Sequence, residues 1–173
     1  SHGIQVSEVL SCADNEKEII RAANYLLQNS SFLVVSGGLG PTTDDLTREA
    51  LAELAGKKLV LSEDILNSLH ALFEKRKRPF SPGNGKQALF PEESSIIPNP
   101  TGTAAGFILT LEGGKRIAAL PGVPRELKVM FLETVLPEIL SSAKSSIPLN
   151  CRAFKVFGLP ESLTGDRIKA CGL

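Results

Sequence analysis

The chain has 173 residues, of which 42% are hydrophobic, so it is long enough for one globular domain with a substantial buried core. Its 19 basic and 19 acidic side chains cancel, which excludes a global positive field able to gather nucleic acid or an anionic membrane surface. The sequence has no apolar run of about 18 residues and no signal-peptide pattern, so we expect a cytoplasmic protein that does not interact with a membrane.

The three cysteines, Cys12, Cys151 and Cys171, have neither the spacing of a zinc site nor the even number of a disulfide framework. We therefore expect reduced and mostly buried thiols. His2 near the N-terminus and His70 within a helical pattern are not placed to act as catalytic bases.

The first part of the sequence predicts alternating strands and helices. Residues 4–10 alternate like a strand, residues 15–29 carry apolar side chains on one helical face, and residues 32–36 resemble a buried strand of a parallel sheet. Asp14 or Asn15 is suited to cap the first helix. This order predicts a right-handed crossover, which brings Asp14 and the loop after the second strand to the same edge of the sheet.

The pattern continues through the rest of the chain. A second helix is expected from about Asp45 to Ala55, ended by Gly56, because glycine readily takes the left-handed conformation after a helix. The later elements, in order, are an extended piece at 59–61, a helix from 63 to about 78 capped by Ser62, a hairpin of 107–111 and 117–120, a long helix from Pro124, a linker at 141–146, a strand at 153–157 and a short helix from Pro160.

Gly37, Gly38 and Gly40 follow the second strand directly and precede the second helix. Glycines allow the backbone to approach a ligand closely, and a helix start offers unpaired N–H groups to an anion. The spacing matches neither a P-loop nor a Rossmann loop, so a purely structural strand-to-helix turn is the alternative interpretation. The leading ligand class is a phosphorylated small molecule.

Asp44 and Asp45, beside Thr42 and Thr43, stand at the predicted start of the second helix. One carboxylate suffices to cap a helix, which leaves the other to hold a metal ion or to orient a sugar hydroxyl. Two solvated acids at a helix start are the alternative interpretation.

Three later segments could also contact a ligand. Lys86, in a glycine-containing turn, could reach a phosphate, and the cations at 75–78 suit either a solvated helix end or the collection of anionic substrate. The hydroxyl-rich segment 99–106 could approach a sugar or could be a simple edge loop. The turn at 120–124 is a second glycine turn before a helix.

Five ordered segments point to a family. They are SGGLGPTTDDLTREA, NGKQALFP, NPTGTAAGF, LPGVPREL and FKVFGLPES. Together they resemble the competence/damage-inducible protein A (CinA) family over nearly the whole chain. The resemblance implies an α/β fold, a three-layer α/β/α sandwich around a mostly parallel sheet, as in molybdopterin-binding domains, followed by the start of a second domain.

The resemblance also implies a domain organisation. Residues 1–145 would form the molybdopterin-binding-like domain, and residues 146–173 a linker and the beginning of the family's middle domain. Members of the family open with one further strand and helix, which this sequence lacks. They also carry a C-terminal amidase domain, so amidase activity is not expected of these residues.

The activity that the resemblance implies is metal-dependent hydrolysis of the pyrophosphate in ADP-ribose. Asp45, helped by Asp44 or Asp14, would hold a divalent cation, and Lys86 would neutralise developing charge. No residue stands out as a general base. The residues expected to bind substrate are Gly37, Gly38, Gly40 and Thr42 at the diphosphate, Asn99, Thr101, Gly102 and Thr103 at the nucleoside or ribose, and Pro121 and Gly122 at the rim.

Two other functions stay open. Related domains of molybdenum-cofactor biosynthesis bind molybdopterin with the matching loop, and Asp45 and Asp14 fall on the positions of two functional aspartates in them. A non-catalytic scaffold that assembles through sheet edges or helices is the third interpretation. The expected partners are a nucleotide or pterin phosphate and further copies of the chain, because an exposed sheet edge favours association.

Overall fold

The computed structural model describes residues 4–142 and 155–171. The first of its two compact units contains described residues 5–142, and the second contains Ile4 and residues 155–171. The predicted boundary at residue 145 lies outside the described residues and stays a prediction.

Five helices, six strands and three irregular helical segments make up the described part of the first unit. The helices are α1 (Glu16–Gln28), α2 (Thr47–Leu54), α3 (Glu63–Lys75), α4 (Pro124–Met130) and α5 (Leu136–Ser142). The strands are β1 (Phe32–Ser36), β2 (Leu59–Leu61), β3 (Leu89–Pro91), β4 (Ser95–Ile97), β5 (Gly106–Thr110) and β6 (Arg116–Leu120). Short 3-10 helices span Pro82–Ala88 and Glu112–Gly114, and a π-helical segment, Phe131–Val135, joins α4 to α5.

The central sheet has four strands in the order β1-β6-β5-β4. β1 and β6 are parallel, with Phe32 opposite Arg116 and Ser36 opposite Leu120, whereas β5 pairs antiparallel with both β6 and β4. A separate antiparallel pair joins β2 to β3. The α/β class is therefore confirmed, but the sheet is mixed rather than mostly parallel, because within the described residues only β1 and β6 pair in parallel. The short β5–β6 hairpin requires these two strands to be antiparallel.

The two faces of the sheet are buried under different helices, which gives the expected three layers. In β6, Ile117 and Ala119 belong to a core cluster that includes residues of α1 and α2. The alternate residues Ala118 and Leu120 belong to a second cluster with Met130 of α4 and neighbouring residues. This alternation follows from the two-residue period of a strand buried on both faces.

The helix ends follow the chemistry of their capping residues. The Asn15 side chain accepts hydrogen bonds from the N–H groups of Lys17 and Glu18, and Ser62 Oγ accepts one from Ile65 N. At the end of α2, Gly56 has a φ of 62°, and Lys57 N donates to Ala52 O at 2.9 Å. These predicted caps are confirmed.

The strand predicted at residues 4–10 is wrong, because these residues are exposed and have no regular structure. An alternating pattern becomes a strand only where a neighbour supplies ladder hydrogen bonds, and β1 pairs only with β6 within the described residues. The argument that placed Asp14 beside the glycine loop at one sheet edge therefore fails.

Two smaller predictions also need correction. Cys12 and Cys171 are exposed rather than buried, because they stand on a loop and at a helix end outside the core, while Cys151 lies outside the described residues. In the second unit, residues 155–157 form no strand, and the other two residues of that prediction are not described. The predicted helix after Pro160 is confirmed as α6 (Glu161–Ala170).

None of the helices within 4–142 and 155–171 is long and apolar enough to span a membrane.

Candidate functional site

The glycine loop, residues 37–46 between β1 and α2, is fixed by hydrogen bonds from the first turn of the helix. Thr47 Oγ1 donates to the carbonyl of Gly37 at 2.8 Å, and Thr47 N donates to the carbonyl of Gly38 at 3.2 Å. Arg48 Nη2 donates to the carbonyl of Leu39 at 2.6 Å. Three successive carbonyls are thus held by two successive residues of α2.

This arrangement also orients three N–H groups. In a trans peptide unit the N–H points opposite to the carbonyl, and the described residues contain no cis peptide bond. The N–H groups of Gly38, Leu39 and Gly40 are therefore turned away from the hydrogen bonds to α2. Within the described residues, the N–H groups of Gly38 and Leu39 have no hydrogen-bond acceptor, so they are available to an anion if one approaches.

Glycine is required where the loop leaves β1. Gly37 and Gly38 have φ values of 98° and 66°, which side-chain-bearing residues rarely adopt. A Cβ on Gly38 would also lie 2.2 Å from Thr47 Oγ1, and one on Gly122 would lie 3.3 Å from the Cα of Gly37. The structure thus brings the turn after β6 against the glycine loop, which joins two of the segments that the sequence singled out.

Asp45 closes the far side of the loop. Its Oδ2 accepts hydrogen bonds from Thr42 N at 2.9 Å and from Thr42 Oγ1 at 2.5 Å. Partial burial would raise the pKa of Asp45, but the hydrogen bonds from the Thr42 side chain and from the Thr42 and Gly40 backbone, together with the charge of Lys86, outweigh it and hold this pKa below its usual value. Asp45 is therefore an ionised group that organises the loop, while Asp44 beside it is exposed.

Lys86 ties the 3-10 segment 82–88 to the glycine loop. Its ammonium donates to the carbonyls of Asp45 and, at 3.3 Å, Thr42, and it lies 3.2 Å from Glu49 Oε1. The sequence indicated Lys86 as a phosphate ligand, and the structure places it beside Asp45 with several protein partners. It neutralises charge at this end of the loop without pointing freely into solvent.

Arg48 and Gln87 are two buried polar residues that the sequence analysis did not predict. Arg48 is completely buried, and burial lowers its pKa to about 10 although Glu49 and Asp45 favour the charged form. Its Nε and Nη1 atoms, like Gln87 Oε1, have no hydrogen-bond partner within the described residues. The one sequence feature that could have indicated the burial of Arg48 is its position, one turn before the buried Leu51 on the same face of α2.

Asn99 organises the loop between β4 and β5. Its Oδ1 accepts from Thr101 N at 3.1 Å and Gly102 N at 2.8 Å, and its Nδ2 donates to Ala104 O at 2.9 Å and Glu126 Oε2 at 2.7 Å. Within the described residues, both ends of the Asn99 amide are therefore already engaged. A ligand at this loop would meet Thr101 and backbone atoms before it met the amide of Asn99.

The predicted site residues fall into connected and separate sets. Thr103 joins the network because its hydroxyl accepts from Gln87 Nε2 at 3.2 Å, and Pro121 is buried beside the glycine turn. Asp14 stands apart: it is exposed before α1, and no described hydrogen bond links it to the glycine loop. A surface cleft of about 530 Å³ between residues 8–13 and α1 contains none of the predicted site residues.

The site combines two backbone N–H groups without an acceptor in the described residues, those of Gly38 and Leu39, with the ionised carboxylate of Asp45. Residues 4–142 and 155–171 contain no group of three or more His, Cys, Asp or Glu side chains arranged to hold a metal ion. A cation at Asp45 would have to share its coordination with water and ligand oxygens, which is the usual mode of Mg²⁺.

Comparison with known proteins agrees with this fold. Residues 1–141 match the family described as "Probable molybdopterin binding domain". A CinA-like protein of Geotalea uraniireducens is 44% identical over 94% of this chain and 38% of its own length, and one of Dictyoglomus thermophilum is 41% identical over 96% of this chain and 40% of its own length. The chain thus spans about two fifths of these relatives.

A solved structure gives the same assignment. The crystal structure of the protein CinA with unknown function from Thermoplasma acidophilum is 36% identical and superposes with a TM-score of 0.62, covering 73% of this chain and 72% of that chain. The match to a family model over more than half of the chain and this shared fold lead to one conclusion. The chain belongs to the molybdopterin-binding-domain family and, within it, to the CinA-like proteins.

Proposed function

We propose that the glycine loop binds the diphosphate of a nucleotide and that the domain hydrolyses ADP-ribose between its two phosphorus atoms. The observation that carries this proposal is the row of two N–H groups, on Gly38 and Leu39, which have no acceptor within the described residues and are turned away from α2 by the hydrogen bonds of Thr47. Backbone donors fixed before a ligand arrives bind phosphate oxygens without a cost of reorganisation.

The neighbouring side chains suit the two ends of such a substrate. Lys86 lies beside the loop and brings a positive charge close to the diphosphate, and the Thr42 hydroxyl would exchange its hydrogen bond to Asp45 for one to a phosphate oxygen. The Asn99–Thr103 loop would meet the nucleoside or ribose, with the hydroxyls of Thr101 and Thr103 and the backbone at Gly102 as its polar contacts. Pro121 and Gly122 would close the rim, because Gly122 already packs on Gly37.

A divalent cation is part of the proposal, and the donor set fits one. Asp45 has a second carboxylate oxygen besides the one that Thr42 occupies, and Asp44 is exposed next to it. Carboxylate oxygens combined with phosphate oxygens and water are ligands that Mg²⁺ and similar cations prefer. When bound, such an ion would polarise a phosphoryl group and neutralise its charge.

The experiment is the hydrolysis of ADP-ribose in the presence of Mg²⁺ or Mn²⁺, in which one water yields AMP and ribose 5-phosphate, separated by ion-exchange chromatography. Asp45→Asn should lower the rate by about 100-fold, the scale of losing one charged group from a phosphoryl-transfer site. Asp64→Asn, an exposed acid in the first turn of α3, is the matched control and should leave it unchanged. Binding of ADP-ribose without cleavage by the wild type under every metal would refute the hydrolase.

Molybdopterin binding is the second candidate, and the description of the matched family favours it. A pterin phosphate would use the same N–H row for its phosphate and the Asn99–Thr103 loop for its ring system. Competition between the two ligands, measured by calorimetry, separates the candidates. A pterin phosphate that displaces ADP-ribose and binds much more tightly than it supports the pterin function. Tighter binding of ADP-ribose than of the pterin phosphate supports the nucleotide-binding function.

We also propose that the protein acts in the cytoplasm as a homo-oligomer. The support is an open sheet edge: β1 has a neighbour on one side only within the described residues, and Val34 on it is exposed. Light scattering coupled to gel filtration measures the assembly. A multimer that binds neither ADP-ribose nor a pterin phosphate would favour the scaffold function instead.

A further inference from the structure

Arg48 is the completely buried charged side chain beneath the glycine loop. Its guanidinium donates to the carbonyl of Leu39, while Nε and Nη1 have no partner in the described part of the chain. Burying a charge with so few partners is costly, because its lost hydration is only partly replaced.

The Arg48 side chain binds the peptide unit between Leu39 and Gly40. Arg48 binds the carbonyl side of this unit, so the Gly40 N–H is directed to the opposite side, where the carboxylate of Asp45 packs over Gly40. A charged donor on the carbonyl polarises the peptide group and strengthens its N–H as a donor. Arg48 is therefore linked to the exposed face of the loop through one peptide unit.

We propose that Arg48 is a positioning residue for anion binding: from beneath the loop it fixes and polarises the Leu39–Gly40 peptide, whose N–H faces the Asp45 carboxylate, and so keeps the loop in the shape that presents the N–H groups of Gly38 and Leu39 to the phosphate. This inference rests on the proposed diphosphate site and assigns a role to a residue that makes no contact with the ligand. Thr47 holds the two preceding carbonyls by a neutral hydroxyl and a backbone N–H, so the charge enters at Leu39 alone.

Variants at Arg48 separate charge from shape. Arg48→Met keeps the length of an unbranched side chain but removes the charge and the donors, whereas Arg48→Lys keeps the charge and one donor group. Arg21→Met, which removes an exposed arginine paired with Glu18 on α1, is the matched control. Inorganic pyrophosphate without metal serves as the probe, measured by titration calorimetry, and the Gly40 amide resonance is followed by NMR.

Arg48→Met should weaken pyrophosphate binding by about 10-fold, because the loop that presents the N–H groups of Gly38 and Leu39 is no longer held at the Leu39 carbonyl. It should also shift the Gly40 amide proton upfield, because the Leu39–Gly40 peptide is no longer polarised. Arg48→Lys should recover affinity to within about threefold of the wild type, and Arg21→Met should match the wild type. A folded Arg48→Met protein with unchanged affinity and an unchanged Gly40 resonance overturns the proposal.

The two proposals fail in different ways. If the wild type binds no pyrophosphate, the diphosphate site is wrong, and the Gly40 resonance of the variants still decides whether Arg48 positions the peptide. If Arg48→Met does not fold, the wild type itself provides the test: a scalar coupling from the Arg48 side-chain N–H to the Leu39 carbonyl carbon supports the role. Its absence, with guanidinium protons that exchange at the rate of solvent-exposed ones, overturns it.

Discussion

Gly40 and Asp45 are packed so closely that a Cβ on Gly40 would lie 2.4 Å from Oδ2 of Asp45. The same oxygen accepts two hydrogen bonds from Thr42, so the loop is folded around one carboxylate. This explains why glycine occupies position 40, although its φ is not in the left-handed region. The requirement is space for the carboxylate rather than conformational freedom.

Gly40→Ala should therefore displace Asp45 and break its hydrogen bonds to Thr42. We expect a loss of about 1–2 kcal/mol in the free energy of unfolding, the scale of one or two hydrogen bonds, measured by urea denaturation. Gly85→Ala in the adjacent 3-10 segment is the matched control, because a Cβ there meets no atom within 4 Å, and it should change stability by less than about 0.5 kcal/mol. Equal effects of the two substitutions would contradict this explanation.

The lowered pKa of Asp45 predicts a pH dependence with a definite sign. Because the pKa is lower in the folded than in the unfolded chain, the unfolded chain binds more protons near pH 4, and stability decreases as the pH falls through this range. Asp45→Asn removes this group, so the stability difference between wild type and variant should shrink from pH 6 to about pH 3. Urea denaturation at each pH measures it, and a constant difference would show that Asp45 has an ordinary pKa.

Lys86 and Glu49 should be energetically coupled, because Lys86 forms an ion pair with Oε1 of Glu49. The other carboxylate oxygen, Oε2, is buried and has no hydrogen-bond partner within the described residues. Lys86→Met leaves that carboxylate unpaired and should cost about 1–3 kcal/mol, whereas Lys86→Met combined with Glu49→Gln should cost less than the sum of the single substitutions. A double-mutant cycle by thermal unfolding gives the coupling, expected at about 0.5–2 kcal/mol. Additive effects would mean that the pair is solvated.

Local chemistry predicted the helix caps and the hairpin well. Asn15 and Ser62 cap helices because their short polar side chains reach backbone N–H groups within three residues. Gly113 and Gly114 turn the β5–β6 hairpin with φ values of 82° and 80°, which favour glycine. In each case the interaction that decides the structure lies within a few residues in the sequence.

The failures concern interactions between distant segments. Residues 4–10 have the alternation of a strand, but a strand also needs a neighbour, and alternation carries no information about the neighbour. Arg48 is buried where α2 packs against α1 and β3 and where its guanidinium binds the glycine loop, and no local pattern of charges indicates this. The sequence did select the glycine loop, Asp45 and Lys86, which the structure brings into contact, but their roles in binding and catalysis stay predictions.

The Asn99 amide bridges two parts of the site, since Nδ2 donates to Glu126 Oε2 at 2.7 Å while Oδ1 accepts from the loop backbone. Asn99→Asp would keep the acceptor but set a second carboxylate against Glu126, and we expect it to lower the free energy of unfolding by about 2–3 kcal/mol at pH 7. Glu126→Gln alone should cost less than about 1 kcal/mol, because an amide oxygen still accepts the hydrogen bond.

The combination of Asn99→Asp with Glu126→Gln tests the geometry directly. It exchanges the carboxylate and the amide across the same contact, so an amide N–H again faces a carboxylate oxygen. Most of the stability lost in Asn99→Asp should return, by about 1–2 kcal/mol, in urea denaturation at pH 7. No recovery would mean that the loss in Asn99→Asp arises at the Ala104 carbonyl, the other acceptor of Nδ2, rather than at Glu126.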